Sequence, residues 1–407
     1  MLTVLIFIVL IGLLVFVHEL GHFITARRNG IRADEFGFGF PPRAIGVYKD
    51  DATGVWRMII GERERVLPRF LHALLFMVPL ASAPAPSEEK EIKNTIYSLN
   101  WIPLGGFVRI HGEGGESKAD PESFAGKSAW VRVKVLGAGV VMNFLFAWFL
   151  ISLVLMLGLP QPISPEERAM HPDAKIQIIN VVKDSPAATM GLQMGDEVVA
   201  INGGKTVSLE MASQVILAHK GEVIHMDVNR FGKPLTLSGT PRVDYPKNEG
   251  ALGISFSETA VISYPWYQAI YQGAITTYNI TIAIFAAFGT MIASLFGGAK
   301  APLDVTGPVG IVYLTKQMSD LGFAYLLQFA AILSINLGII NILPIPALDG
   351  GRILFILIEK LKGSPISQRV ESMIHQVGFM LLLLLMLLVT IRDFSQFHIL
   401  TKITSFF

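Results

Sequence analysis

Residues 2–22 read LTVLIFIVLIGLLVFVHELGH, an apolar run that passes without a break into His18-Glu19-Leu20-Gly21-His22. About 20 helical residues cover a ~30 Å hydrocarbon core, so the run is long enough to cross a bilayer. On a helix, positions i and i+4 share a face, so both imidazoles reach the same point with Glu19 beside it. Ionisable groups at that depth cost about 2.5–3.5 kcal/mol each on insertion scales and call for a compensating partner. A metal ion held by both rings is such a partner. The bland alternative is chance, since H-E-x-x-H has two free positions and recurs in unrelated proteins. With no basic stretch ahead of the run and no small-residue cleavage site behind it, it reads as a retained span, not a cleaved leader.

The rest of the 407-residue chain agrees with a membrane setting. Hydrophobic residues make up 52% of it and charged residues only 16%, against roughly a quarter charged in soluble domains. Mean hydropathy is +0.52. A net charge of +1 provides no basic field, which argues against nucleic acid as a partner. The absence of cysteine excludes disulfides, thiolate zinc sites and a cysteine nucleophile.

Working outward, a first span over 1–26 carries the motif, and further spans are expected at 135–159, 323–351 and 371–392. The third is interrupted by Asn336, Gly338 and Asn341 and stopped by Pro344 and Pro346, which predicts a helix facing protein instead of lipid. Residues 27–134 are mixed in charge and hold the extended-looking run IPLGGFVRI (102–110), a hairpin or edge strand. Within them FLHALLFMVPLASA (70–83) is too short for a span and suggests an interfacial or re-entrant segment. From 173 to 256 the pattern becomes that of a small soluble α+β domain, with alternation at 176–182, helical periodicity at 208–219 and a hairpin at 225–239. Segment 262–300 is long and apolar but studded with Gln268, Gln272 and Asn279.

A catalytic zinc takes three protein ligands and keeps an open position. The candidate third ligand is Asp349 in NILPIPALDGG (341–351). Pro344 and Pro346 stop the helix, so the aspartate is expected on a non-helical turn, with Gly350 and Gly351 freeing the chain beyond it. A plain loop with Asp349 as a helix cap is the bland alternative. Given His18, His22 and Asp349 around one zinc, the metal lowers the pKa of water toward 7 and Glu19 can take its proton as a carbonyl is attacked.

HELGH in the first span and NILPIPALDGG in a later one resemble the site-2 protease family of intramembrane zinc metalloproteases. The single soluble insert is similar to the bacterial branch that releases sigma factors by cutting membrane-bound anti-sigma proteins. The resemblance implies zinc on His18, His22 and Asp349, Glu19 as general base, and Asn341 on the substrate backbone or oxyanion. It implies that Gly105, Gly106, Phe107 and Val108 belong to a membrane-associated β element that pairs with an unwound substrate strand. DSPAATMGLQMGDEVVAINGGKTV (184–207) resembles a PDZ domain, circularly permuted, in which Leu252, Gly253 and Ile254 would line a groove for a peptide ligand. A domain that only shields the entrance is the alternative.

The expected fold class is thus a polytopic α-helical membrane protein of about four transmembrane helices, with a membrane-associated β element and an inserted α+β PDZ-like domain. Membrane lipid and a transmembrane protein or peptide, an anti-sigma-like protein or remnant signal peptide, are the implied partners. For the histidines and Asp349 to share an ion, an odd number of crossings must separate their spans, which makes 262–300 an amphipathic surface helix. Arg27, Arg28, Arg32, Arg132, Lys134, Arg352, Lys360, Lys362 and Arg369 put the zinc toward the cytoplasm of a bacterial plasma membrane and the soluble domain outside. A transporter with a broken polar helix is the rival class, opposed by the lack of an inverted repeat. An inactive PDZ scaffold is the other, opposed by an intact Glu19.

Overall fold

The computed structural model describes residues 2–51, 53–61, 63–66, 94–164, 166–206, 208–230, 232–246, 249–297, 306–364 and 366–396. The short apolar stretch at 70–83 lies outside the described residues. The chain forms two compact units, one of Met1–Ile151, Gly273–Ser319 and Leu326–Phe407, the other of Ser152–Gln272 and Asp320–Tyr325.

In the first unit α1 spans Leu2–Arg28 and α2 begins at Ala129, running to Leu157. Between them β1 (Ala33–Lys49), β2 (Trp56–Ile60), β3 (Arg63–Val66) and β4 (Ile96–Ile110) form a sheet in the order β3-β2-β1-β4. The first half of β1 is flanked twice by β4, since Phe36 stands opposite both Val108 and Tyr97. Among the described strands this leaves residues 102–110 of β4 as an outer edge, as the edge-strand expectation required. Glu35, 3% exposed, joins the two halves of β1 through Arg43 Nε and Nη2 at 2.9 and 2.6 Å. Burial pushes the Glu35 carboxyl up, but the Arg43 guanidinium and the Ser98 hydroxyl outweigh it and hold it below its usual range.

Five helices follow: α5 (Trp266–Gly297), α6 (Pro308–Leu321), α7 (Phe323–Ile342), α8 (Asp349–Lys362) and α9 (Gln368–Gln396). Among the described residues five helices are long and apolar enough to cross a membrane, one more than expected. The addition is Trp266–Met291, whose hydropathy of 1.4 is the lowest of the five. The expected span 323–351 is two elements: α7 ends at Ile342, and α8 starts at Asp349 after a turn. Sequence periodicity did not anticipate α6. Its start is tied to α9, because Asp393, 1% exposed, accepts the N–H groups of Gly307 and Gly310 at 3.2 and 2.8 Å. A carboxylate there satisfies two of the donors every helix leaves unpaired and complements the helix dipole.

The second unit is an α+β domain around a sheet of order β10-β9-β7-β6-β11-β5, with β8 on β7. Its elements are β5 (Leu159–Pro162), β6 (Lys175–Val181), α3 (Pro186–Met190), β7 (Glu197–Ile201), β8 (Gly204–Lys205), α4 (Leu209–Ala218), β9 (Ile224–Arg230), β10 (Lys233–Gly239) and β11 (Ile254–Ile262). The DSPAATMG signal is realised: Ser185 Oγ accepts the Ala188 N–H, Pro186 opens the helix and Gly191 closes it at φ +83°. Alternating strand residues fill the core, with Ile178, Ile224, Met226 and Leu252 fully buried. The domain is larger than 173–256, because β11 runs to Ile262 and pairs there with β5. A deletion at the expected boundary would cut β11 in two.

One ion pair anchors this unit. Asp196 is fully buried and receives Arg230 Nε and Nη2 at 2.7 Å each, while its Oδ2 also accepts the Gln193 N–H at 2.9 Å. Stripping one partner from such a pair costs about 3 kcal/mol, since the other charge is left without compensation. Asp196→Ala should therefore lower the denaturation midpoint of the second unit, read as proteolytic sensitivity between residues 152 and 272, without changing metal content.

Candidate active site

His18 and His22 lie in the C-terminal half of α1, which continues past them to Arg28. Their Nε2 atoms are 3.1 Å apart. Asp349 Oδ2 stands 3.1 Å from His18 Nε2 and 3.3 Å from His22 Nε2. Three tetrahedral zinc ligands at ~2.0–2.1 Å would be roughly 3.3 Å from one another. Oδ2 is buried and makes no hydrogen bond of acceptable geometry. The three atoms face a common centre as ligands do, and the residues fit a zinc ion.

Helix α2 sets the rings. The His22 Nδ1–H donates to the Val135 carbonyl at 2.8 Å, which leaves the Nε2 lone pair for a metal. His18 Nδ1 is 3.0 Å from the side-chain amide of fully buried Asn143. The structure sets Asn143 Nδ2 at this contact; for His18 Nε2 to be kept free Nδ1 must carry the proton, which needs the amide turned so that its unpartnered Oδ1 accepts it. Asn143 is fixed in turn by α7, whose Ser334 hydroxyl donates to its carbonyl at 2.8 Å. Close approach of the two helices needs glycine: a Cβ on Gly21 would lie 2.4 Å from Ala138 O, and one on Gly139 would lie 2.4 Å from His22 Nε2. Val135, Gly139 and Asn143 escaped the sequence reading. The signal was there in GAGVVMN (137–143), small residues and one amide in an otherwise apolar helix.

Glu19 sits between the histidines and the sheet. Its Oε2 accepts the Val108 N–H at 3.2 Å. That N–H points off the edge of β4, and by the strand period of two Gly106 turns its backbone to the same side while Phe107 and Arg109 turn toward β1. Gly105 and Gly106 let β4 rest on α1, a Cβ on Gly106 being 2.9 Å from Phe16 Cα. These glycines thus also have a packing role that the sequence reading did not assign.

Asp349 is the first residue of α8, capped by Leu348, and not part of a non-helical turn. Gly350 and Gly351 do not loosen the chain. Cβ atoms there would lie 2.2 Å from Ile342 O and 2.3 Å from Ile345 O, so the glycines let the first turn of α8 press on the last carbonyl of α7 and on a carbonyl of the turn that follows it. Arg352 pairs with Glu113, and Gln368 Nε2 donates to Gly114 O at 2.7 Å, fastening the loop after β4 to α8 and α9. Asn341 is half-buried on the last turn of α7.

In the second unit Leu252 is 1% exposed, so its side chain belongs to the core and lines no groove. Gly253, at φ +75°, accepts the Val182 N–H at 2.8 Å, and Ile254 opens β11 opposite Val181.

Residues 6–60 and 71–385 match the model of Peptidase family M50. The chain is 32% identical to the regulator of sigma-W protease RasP of Bacillus subtilis, over 97% of this chain and 98% of the relative. It is 31% identical to the zinc metalloprotease RasP of Geobacillus kaustophilus, again over 97% and 98%. It is 27% identical to the regulator of sigma-E protease RseP of Escherichia coli, over 96% and 98%. With nearly the whole length of both chains aligned, and with two histidines and an aspartate converging as a zinc site requires, the chain belongs to Peptidase family M50, as a site-2 type zinc metalloprotease.

Proposed function

We propose that the protein hydrolyses a peptide bond of single-span membrane proteins within or at the edge of the bilayer, with zinc on His18, His22 and Asp349. The observation that carries this reading is the meeting of His18, Glu19 and His22, on a helix of spanning length, with Asp349, which opens α8 just past the end of the spanning α7. Bound zinc supplies a Lewis acid that acidifies water and polarises the scissile carbonyl. Val108 holds Glu19 by one oxygen and leaves the other to take the water's proton and return it to the leaving nitrogen.

The same strand edge suits the substrate. A helical peptide bond is shielded by its own hydrogen bond, and unwinding in lipid leaves each N–H and C=O unpaired at several kcal/mol. The outward backbone of Gly106 and the Val108 carbonyl offer replacement partners beside the base, and the Asn341 amide is the further group assigned to the substrate backbone. Relatives are named as regulators of sigma-W and sigma-E, which supports membrane-bound anti-sigma proteins as the substrate class, with remnant signal peptides as a second source of the same chemistry. The second unit is assigned as PDZ-like, taking an extended peptide at Gly253 and Ile254.

In this reading the zinc faces the cytoplasm, the second unit lies outside, and α5 runs along the membrane surface instead of crossing it. Support comes from α9, which is 29 residues and so about 43 Å long. Its first residue contacts the loop at Gly114 and its Asp393 holds the start of α6, so α6 begins a membrane thickness away from that loop. An α5 that stays on the far side reaches α6 without an extra crossing, and the histidines and Asp349 keep the odd parity they need.

Glu19→Gln should keep one zinc per chain and lose at least about 100-fold in cleavage of a transmembrane substrate, because the amide cannot accept a proton. Wild-type turnover in that variant would exclude the mechanism. Asp349→Asn should lose zinc to a chelator that the native protein withstands, measured by elemental analysis after dialysis. Asn143→Leu should weaken zinc binding about 10–100-fold, the usual cost of removing a group that orients a ligand, in a competition titration.

A further inference from the structure

The turn that delivers Asp349 is not self-supporting. Residues 343–348 contain Pro344 and Pro346, which donate no hydrogen bonds, and Ala347 stands at φ +75°. Alanine seldom adopts that left-handed conformation, because its Cβ crowds the neighbouring carbonyl. Within the turn Ile345 and Leu348 donate to Leu343 O and Ile345 O. The Ala347 N–H instead reaches across to α9 and donates to His375 Nδ1 at 2.8 Å.

The surroundings of this histidine single it out. Its ring packs on Phe355 of α8 at 5.4 Å between centroids, so it touches the chain on both sides of Asp349. Three residues on, Gly378 lets α9 lie against Pro346, where a Cβ would come within 2.4 Å of Pro346 Cβ. Because Nδ1 accepts, the neutral ring carries its proton on Nε2, and that atom is buried with no hydrogen-bond partner among the described residues. The ring is thus held in one tautomer and one orientation for the sake of a single backbone N–H, two residues before the ligand.

We propose that His375 is a positioning residue for the metal centre: it stabilises the left-handed Ala347 and so fixes the direction from which Asp349 presents its carboxylate. The proposal rests on Asp349 being a zinc ligand. It makes the C-terminal helix part of the construction of the site, although no residue of α9 is among the ligands.

The test uses the full-length protein with cobalt(II) in place of zinc, whose visible absorption reports ligand geometry, together with the rate of metal loss to a chelator. His375→Leu should change the spectrum and speed metal loss about tenfold, in the range for a lost orienting group. His375→Gln, which can still accept the Ala347 N–H, should recover much of both. Ala347→Gly in the His375→Leu background should also recover them, because glycine adopts φ +75° without the steric penalty. A wild-type spectrum and metal retention in His375→Leu would overturn the proposal. So would a defect that neither Gln nor Ala347→Gly relieves, since that is the signature of lost packing alone. If Asp349→Asn itself leaves the cobalt spectrum unmoved, the ligand assignment fails, and the proposal fails with it for a separable reason.

Discussion

Three ligand atoms from α1 and α8 must be held within 3.1–3.3 Å of one another inside apolar surroundings, and this requirement organises everything near them. In water a poorly aimed imidazole or carboxylate is solvated. Among apolar helices the same group would be left unpaired at a cost of several kcal/mol. Each ligand is therefore aimed by something else: His22 by the Val135 carbonyl, His18 by the Asn143 amide, Asp349 by the helix start that Gly350 and Gly351 press against α7. Helix α2 contributes no ligand and still supplies the surface on which both rings are set.

Glu19, the proposed general base, is governed by the same economy of contacts. Val108 is an edge residue of a strand, so its N–H has no partner in the sheet, and Glu19 takes it. In the proposed mechanism this strand edge next to the metal site is at once a clamp for the base and a template for an unwound chain. The close approach of β4 to α1, permitted by Gly105 and Gly106, is what brings the two uses to one place.

Much of this was legible in the sequence. HELGH places two imidazoles on one helical face through a spacing of four, and the Pro-x-Pro-x-x-Asp-Gly-Gly run marks a carboxylate presented at a helix break. Helical periodicity at 208–219 located α4 to within a residue, and the structure shows its start set by Ser208, whose hydroxyl accepts the Met211 N–H. What escaped depends on long-range backbone groups. The Val135 carbonyl and the Val108 N–H are the same in every residue, so nothing in the letters marks them. The outer limit of the second unit was missed for the same reason: β5 joins the sheet only through pairing with Val261 and its neighbours, nearly a hundred residues later. Length and hydropathy alone cannot decide between a crossing and a surface placement for α5, where the polar residues are spread along the helix.

The measurement closest to the central claim is zinc X-ray absorption on the purified full-length protein in detergent or lipid. Two imidazole nitrogens and oxygen ligands at ~2.0–2.1 Å, with the oxygen contribution altered in Asp349→Asn, is the result that this account predicts. A shell of oxygen alone, or one that is unchanged when Asp349 or His22 is replaced, would place the zinc elsewhere and contradict it.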